Sequence, residues 1–261
     1  MFLGGSQMDM ATYLSEQHIS ISVIIPTRNE APNLQYVIPH LPAYINEVIL
    51  VDGHSTDGTI AEARRLRPDI RVVEQVGKGK GDAIKAGLAC ATGDIVVLLD
   101  ADGSADPLEI SRFVNALLAG NDFAKGSRFL KGGGNHDITW IRRAGNYGLT
   151  WLVNILFNAR FTDLCYGYNA FWKHCVDYLH IDSDGFEIET LINIRMHVSG
   201  LKIAEVPSVE YQRIHGSSNL NATRDGMRIL KLIIQERRAR RQQRPAAPVI
   251  QQHPVPEEAL L

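Results

Sequence analysis

Asp100 and Asp102 stand one residue apart where the most apolar run of the chain, DIVVLLD (94–100), gives way to ADGS. On a strand that spacing sends both side chains to one face, and a turn at the strand's end can converge them further. Two carboxylates so close repel unless a proton or a cation lies between them. A hard divalent ion with oxygen ligands answers that need, and Mg²⁺ or Mn²⁺ completes its shell with water and substrate phosphates. The competing role, capping the helix that begins at Pro107, falls better to Asp106.

Other polar residues stand at comparable places. Asp52 ends the apolar run EVILVD (47–52), and Asp57 follows in a turn where it suits a helix cap better than a ligand. Arg128 ends the segment 123–128. The stretch VGKGKGDA (76–83) has neither P-loop nor dinucleotide-fingerprint spacing. It offers glycine backbone that can approach a ligand closely, two lysines and a helix N-terminus, and reads either as a wall of a nucleotide site or as a plain loop.

These residues need a scaffold, and the pattern around them supplies one. ISVIIP (21–26), EVILVD (47–52), RVVEQ (71–75) and DIVVLLD (94–100) are short β-branched runs. Between and after them, 31–41, 56–66, 81–91 and 107–118 have helical character. Strands apolar on both faces and alternating with helices predict an α/β protein with one mostly parallel sheet covered on both sides. Ligands then collect at the carboxyl ends of the strands, where Asp52, Asp100, Asp102 and Arg128 fall. In the second half, 123–128 reads as a strand, 131–135 as a flexible loop, 139–157 and 187–198 as helices, and 163–172 and 202–213 as extended, the last interrupted by Pro207.

The ordered series PTRNE (26–30), VDGHSTDGT (51–59), KGKGDAIKAGL (78–88) and DADGS (100–104) resembles the inverting glycosyltransferases of family 2. GSRF (126–129), Arg142 and Arg143, DLCYGYNAF (163–171), GFEIE (185–189), EVP (205–207) and RIHGSS (213–218) are similar to its polyprenyl-phosphate branch, which includes dolichyl-phosphate mannosyltransferases and glucosyltransferases. The resemblance spans roughly residues 20–220. It implies a GT-A fold, a Rossmann-like sheet binding a nucleotide-diphosphate sugar, with Mg²⁺ or Mn²⁺ held by Asp100 and Asp102. Donor contacts would come from Pro26, Thr27, Asn29, Glu30, Asp52, Gly53, Lys78, Gly79, Ala101 and Arg142. Arg128, Arg142 or Arg143, and Arg213 would gather phosphates, and Phe186 and Glu187 would line the acceptor side.

Two acceptors fit the branch and the family. A polyprenyl phosphate brings an oxygen that is already anionic and needs cations around it; a soluble sugar hydroxyl needs a carboxylate base, for which Asp163, Glu187 and Glu189 are the candidates. Each of the three could equally be an ordinary partner for an arginine.

Composition sets the outer limits. With 261 residues, 45% hydrophobic and 21% charged, the chain is an ordinary globular protein rather than a disordered or fibrous one. Three scattered cysteines do not make a disulfide framework, and the N-terminus lacks the pattern of a signal peptide. The expected organisation is a flexible leader (1–19), a catalytic domain (20–222), a basic amphipathic helix (223–244) and a disordered tail (245–261). Residues 224–244 carry an excess of six positive charges in a chain of net charge −2. That helix is expected to dock Met227, Leu230, Ile233 and Ile234 on the domain, its basic residues being either solvated or drawn to an anionic membrane. Nucleic acid is not an expected partner, no span is long enough to cross a bilayer, and a cytoplasmic, peripherally membrane-associated location is expected.

Overall fold

The computed structural model describes residues 9–136, 138–216 and 221–242. Four strands, β1 (Ile21–Thr27), β2 (Glu47–Asp52), β3 (Arg71–Glu74) and β4 (Ile95–Leu98), pair in parallel in the order β3-β2-β1-β4. Their β-branched side chains are apolar on both faces because both faces are covered. Ile21, Val23, Ile25, Leu50 and Val97 face a core shared with α2 (Thr59–Leu66) and α4 (Ile110–Leu118). Ile24, Ile49, Val51, Val96 and Leu98 face a second core shared with α3 (Lys80–Cys90) and α6 (Ile188–Val198).

Beyond β4 the sheet changes direction. It continues with β5 (Phe123–Ser127), β7 (Asn169–Trp172) and β8 (Ile203–Pro207) in the order β4-β7-β5-β8, making seven strands. β7 lies antiparallel between β4 and β5, while β5 and β8 are parallel. A two-stranded ribbon, β6 (Gly134–Asn135) with β9 (Val209–Glu210), adjoins it. The mostly parallel sheet with helices on both faces is what the strand pattern predicts.

Several local expectations are corrected. Residues 31–41 form two 3₁₀ turns, Leu34–Tyr36 and Ile38–His40, rather than an α-helix. Pro39 cannot donate back to the preceding turn, so an α-helical ladder cannot pass it. Only the last four residues of 163–172 are strand; Asp163 to Tyr168 are irregular chain. Within the expected leader, α1 (Met10–Glu16) is capped by Asp9, whose Oδ1 accepts from Thr12 N–H at 2.7 Å, and it buries Leu14. Residues 1–8 and the expected tail lie outside the described residues, as do Ser217, Ser218 and Asn219.

Two long helices complete the fold. α5 (Trp140–Phe157) starts at Thr139, whose hydroxyl accepts from Arg142 N–H. α7 (Ala222–Gln242) packs beside it, Ile229 and Ile233 closing a third core with Val153, Phe157 and Leu164. The expected docking face is displaced. Ile229, Leu232 and Ile233 are the buried apolar residues, whereas Met227 and Ile234 face solvent. Asp225 and Glu236 share the inner side, paired with Arg224 and with Arg195 of α6.

Candidate functional site

The carboxyl ends of β1, β2 and β4 open onto one cleft of about 1450 Å³, lined there by Pro26, Thr27, Gly53, Asp100, Ala101 and Asp102. This is where a parallel α/β sheet presents its polar loops. Three networks of opposite charges organise its walls.

The first is centred on Lys80, at the start of α3. Its Nζ lies 2.6 Å from Asp100 Oδ1 and 2.7 Å from Glu189 Oε1. Burial disfavours the ammonium, yet the two carboxylates outweigh it and hold the proton on more tightly than in an ordinary lysine. Asp100 keeps 38% of its side-chain surface exposed, against 11% for Lys80, so its carboxylate still faces the cleft. Asp102 and Glu189 act on it as like charges. The loop before Lys80 packs closely: at Gly79 (φ +93°) a Cβ would stand 2.2 Å from the Asp184 carbonyl oxygen. At Gly167 the neighbours are side-chain ends: a Cβ there would meet Glu189 Oε1 at 2.6 Å and Lys80 Nζ at 2.7 Å, so those two would have to shift.

In the second network Arg213 bridges two carboxylates, with Nη1 2.9 Å from Glu30 Oε1 and Nη2 3.0 Å from Asp102 Oδ2. Burial pushes the Glu30 carboxyl up against the pull of Asn33 and Arg213, while Asp102 adds repulsion. Asp102 Oδ1 accepts from Ser104 N–H at 3.0 Å, fixing the turn beyond β4.

The third network is buried. Arg128 Nε and Nη2 donate to Asp163 at 2.7 and 2.9 Å, and Nη1 to Glu210 at 2.8 Å. Asp163 also accepts from Arg128 N–H and Asn146 Nδ2. Burial alone would raise the Asp163 carboxyl, but the Arg128 hydrogen bonds and charge bring it below the ordinary aspartate value.

The structure therefore sorts the sequence candidates. Glu30, Lys78, Gly79, Arg128, Arg142, Glu187 and Arg213 line the same cleft as the β-strand tips. Asn29, Asp52 and Asp163 are not among its lining residues. Asn29, at φ +57°, accepts from Thr56 N–H and holds the loop after β1. Asp52 Oδ2 accepts from Ser55 N–H beneath Gly53, and its buried Oδ1 has no partner. Asp57 accepts from Thr59 and from Ala31 N–H, tying the first turn of α2 to the loop after β1. Asp163 is fully buried by Arg128, which removes it as a general base; Arg128, with its donors engaged, braces the wall. Glu189 is held by Lys80. Glu187, by contrast, has a buried Oε2 with no hydrogen-bond partner and lines the cleft.

The sequence reading missed Lys80 and Glu210 as organisers, although Lys80 was visible as the lysine nearest a helix start beside glycines. It also missed how α7 contributes. Arg224, Arg228 and Lys231 line the cleft with Arg142 and Arg213, so several cations share it with the two aspartates. Asp100 and Asp102 fit a hard divalent ion: their oxygens belong to one cleft, repel one another and are hard donors. Phosphate oxygens are the ligands that such an ion and such a set of guanidinium groups share.

Comparison with known proteins agrees with this geometry. Residues 22–174 match the family model for glycosyl transferase family 2. The chain is 32% identical over 214 residues to glycosyltransferase AglJ of Haloferax volcanii, covering 79% of this chain and 68% of that protein. It is 30% identical to the dolichol-phosphate mannosyltransferase of Pyrococcus furiosus, covering 77% of this chain and 59% of that one. It is 31% identical to the polyprenol monophosphomannose synthase of Mycolicibacterium smegmatis, covering 77% and 81%. These relatives support the polyprenyl-phosphate branch. Among solved structures, glucosyl-3-phosphoglycerate synthase of Mycobacterium tuberculosis superposes with TM-score 0.72 at 20% identity, covering 89% of this chain and 85% of that one. The same enzyme has been crystallised with Mn²⁺, UDP and glucosyl-3-phosphoglycerate, and with Mg²⁺ and UDP. The chain belongs to glycosyl transferase family 2 and is a glycosyltransferase of GT-A fold.

Proposed function

We propose that this enzyme transfers a hexose, with inversion, from a nucleotide-diphosphate sugar of the GDP-mannose or UDP-glucose type to a polyprenyl phosphate. The observation that carries the reading is the cleft itself. The cleft that holds the two carboxylates beyond β4 is also lined by Arg142, Arg213, Arg224, Arg228 and Lys231, cations that suit an anionic donor and an anionic acceptor. The names of the relatives supply the acceptor class.

In this reading Asp100 and Asp102 hold Mg²⁺ or Mn²⁺. An ion held there would supply charge neutralisation to a nucleoside diphosphate leaving group. Pro26, Thr27, Glu30, Gly53, Lys78, Gly79 and Ala101 form the donor wall, with Asp52 fixing the turn that carries Gly53. Arg213 orients Asp102 through its 3.0 Å contact and lies ready to meet a phosphate oxygen. Arg142 and the α7 cations gather the acceptor phosphate. Its anionic oxygen attacks the anomeric carbon, the bond to the diphosphate breaks on the opposite side, and the electron pair leaves with the nucleotide. No proton has to move, so Glu187 shapes the acceptor side without acting as a base.

Among the described residues no helix is long and apolar enough to cross a membrane. We place the enzyme peripherally, at the cytoplasmic membrane face. Radiolabelled donor sugar tests the acceptor. Label extracting into organic solvent with the prenyl phosphate is the expected result. Label that stays aqueous and appears on a glycan or small metabolite favours a soluble hydroxyl acceptor.

A further inference from the structure

Arg195 stands on α6, a helix anchored in the core by Ile188, Leu191, Ile192, Ile194 and Met196, all fully buried. Its guanidinium reaches from that core to two separate parts of the chain. Nη1 donates to the carbonyl oxygens of Leu179, at 2.7 Å, and of His180. Nη2 lies 2.9 Å from Asp182 Oδ1. Toward α7, Nη2 and Nε donate to Glu236 at 2.7 and 3.2 Å. Two carbonyls and two carboxylates share one side chain, an arrangement that a planar fork of five donors can serve and a single ammonium cannot.

Both of the joined parts line the cleft. Residues 182–187 do so after β7, and their middle is fastened to the donor wall: Gly81 N–H, in the first turn of α3, donates to the Asp184 carbonyl oxygen at 2.9 Å. α7 contributes Arg224, Arg228 and Lys231. Its apolar anchors, Ile229, Leu232 and Ile233, hold it to the domain, but apolar burial is non-directional and tolerates small rotation and sliding. The charge-assisted bonds from Arg195 to Glu236 are directional and fix the seat of the helix. Asp182 and Glu236 also line the cleft, where free carboxylates would oppose a phosphate-bearing substrate. Arg195 lies between them and offsets that charge.

We propose that Arg195 is a positioning residue for the acceptor. It locks α7 to the segment 179–187, so that Arg224, Arg228 and Lys231 stand at a fixed distance from the donor wall, and it keeps Asp182 and Glu236 from repelling the acceptor phosphate. It acts through those groups and not on the reacting atoms. The inference deepens the phosphate-acceptor reading and rests on it.

The test separates acceptor from donor. Arg195→Ala is expected to raise KM for a short-chain prenyl phosphate about tenfold or more, with kcat within about threefold of wild type. Affinities for GDP and UDP with Mn²⁺, measured by calorimetry without turnover, stay as they were, because the donor wall is carried by the ends of β1, β2 and β4. Arg195→Lys keeps the charge but not the fork, and recovers only part of the KM. Glu236→Ala opens the joint from the α7 side alone, raises the same KM, and carries the test where Arg195→Ala does not fold. The double variant R195A/E236A is expected to be no worse than Arg195→Ala, because both changes break one joint. An acceptor KM that stays put in folded Arg195→Ala overturns the proposal. So does a parallel loss of nucleotide affinity, additivity of the two single changes, or full rescue by lysine. Hydrogen exchange reads the joint without any acceptor: in Arg195→Ala it should quicken in 179–187 and 226–236 and not in β1 or β4, and no change there also overturns the proposal. If exchange quickens as expected but the wild type transfers sugar to no prenyl phosphate, Arg195 stands as the joint and the acceptor assignment falls.

Discussion

Lys80 Nζ lies 2.6 Å from Asp100 Oδ1, so the aspartate placed to hold a divalent ion already carries a resident cation. The other end of that ammonium is fixed by Glu189. Metal and lysine therefore compete for Asp100, and the direction of the competition is measurable. Lys80→Met is expected to bind Mn²⁺ about tenfold more tightly by calorimetry, because a positive charge has been removed from beside the ligand. It is also expected to lose about 3 kcal/mol of stability in urea, since Glu189 is left buried without a partner. Adding Glu189→Gln should restore most of that loss. Weaker Mn²⁺ binding in Lys80→Met would show that the lysine supports the metal site instead.

Asp102→Ala addresses the metal assignment. Arg213 keeps its contact with Glu30, so the fold is expected to persist. Turnover with saturating Mn²⁺ should drop by about a thousandfold or more. A near wild-type rate would remove Asp102 from the metal-binding pair.

Glu187 separates the two acceptor chemistries. If the acceptor is a phosphate, Glu187→Gln should change kcat by only about threefold, with the acid limb of the pH profile, the fall in rate at low pH, left in place. A fall of about a thousandfold on the preferred acceptor would identify Glu187 as a general base and point to a hydroxyl nucleophile.

The Arg128–Asp163 pair gives a stability prediction with a definite sign. The folded Asp163 value lies below the unfolded one, so the protein binds fewer protons there when folded. The contribution is therefore complete above the unfolded value of about 4 and is lost as pH falls through the lowered folded value. Asp163→Asn should cost about 3–5 kcal/mol at neutral pH by leaving Arg128 buried against an uncharged partner. In urea titrations the difference from wild type should shrink below about pH 4. A difference that stays constant down to acid pH would contradict the charge argument.

Much of this could be read from residue order. β1, β2 and β4 announce themselves as β-branched runs apolar on both faces, and the carboxylates after β2 and β4 fall where such sheets place ligands. What escaped was set by contacts distant in sequence. Nothing near Lys80 says that Glu189, more than a hundred residues on, will share its proton. The antiparallel β7 is four residues long and gives no local sign of its direction. On α7, helical spacing alone offers Met227 and Ile234 as readily as Ile229 and Leu232. The observed rotation sets Glu236 against Arg195 at 2.7 Å and Ile229, Leu232 and Ile233 in the cores, contacts distant in sequence. Asp163 illustrates a choice that residue order left open: base and arginine partner were both available to it, and the structure pairs it with Arg128.

The glycine between Tyr166 and Tyr168 carries a cost out of proportion to its size. An ionic bridge threads past its α-carbon, and a methyl group fits there only if the ends of that bridge move. A substitution as mild as alanine at 167 would unseat Lys80 and Glu189 together and disturb Asp100 in turn. Inactivating changes in this enzyme can therefore arise at a residue that has no functional group at all.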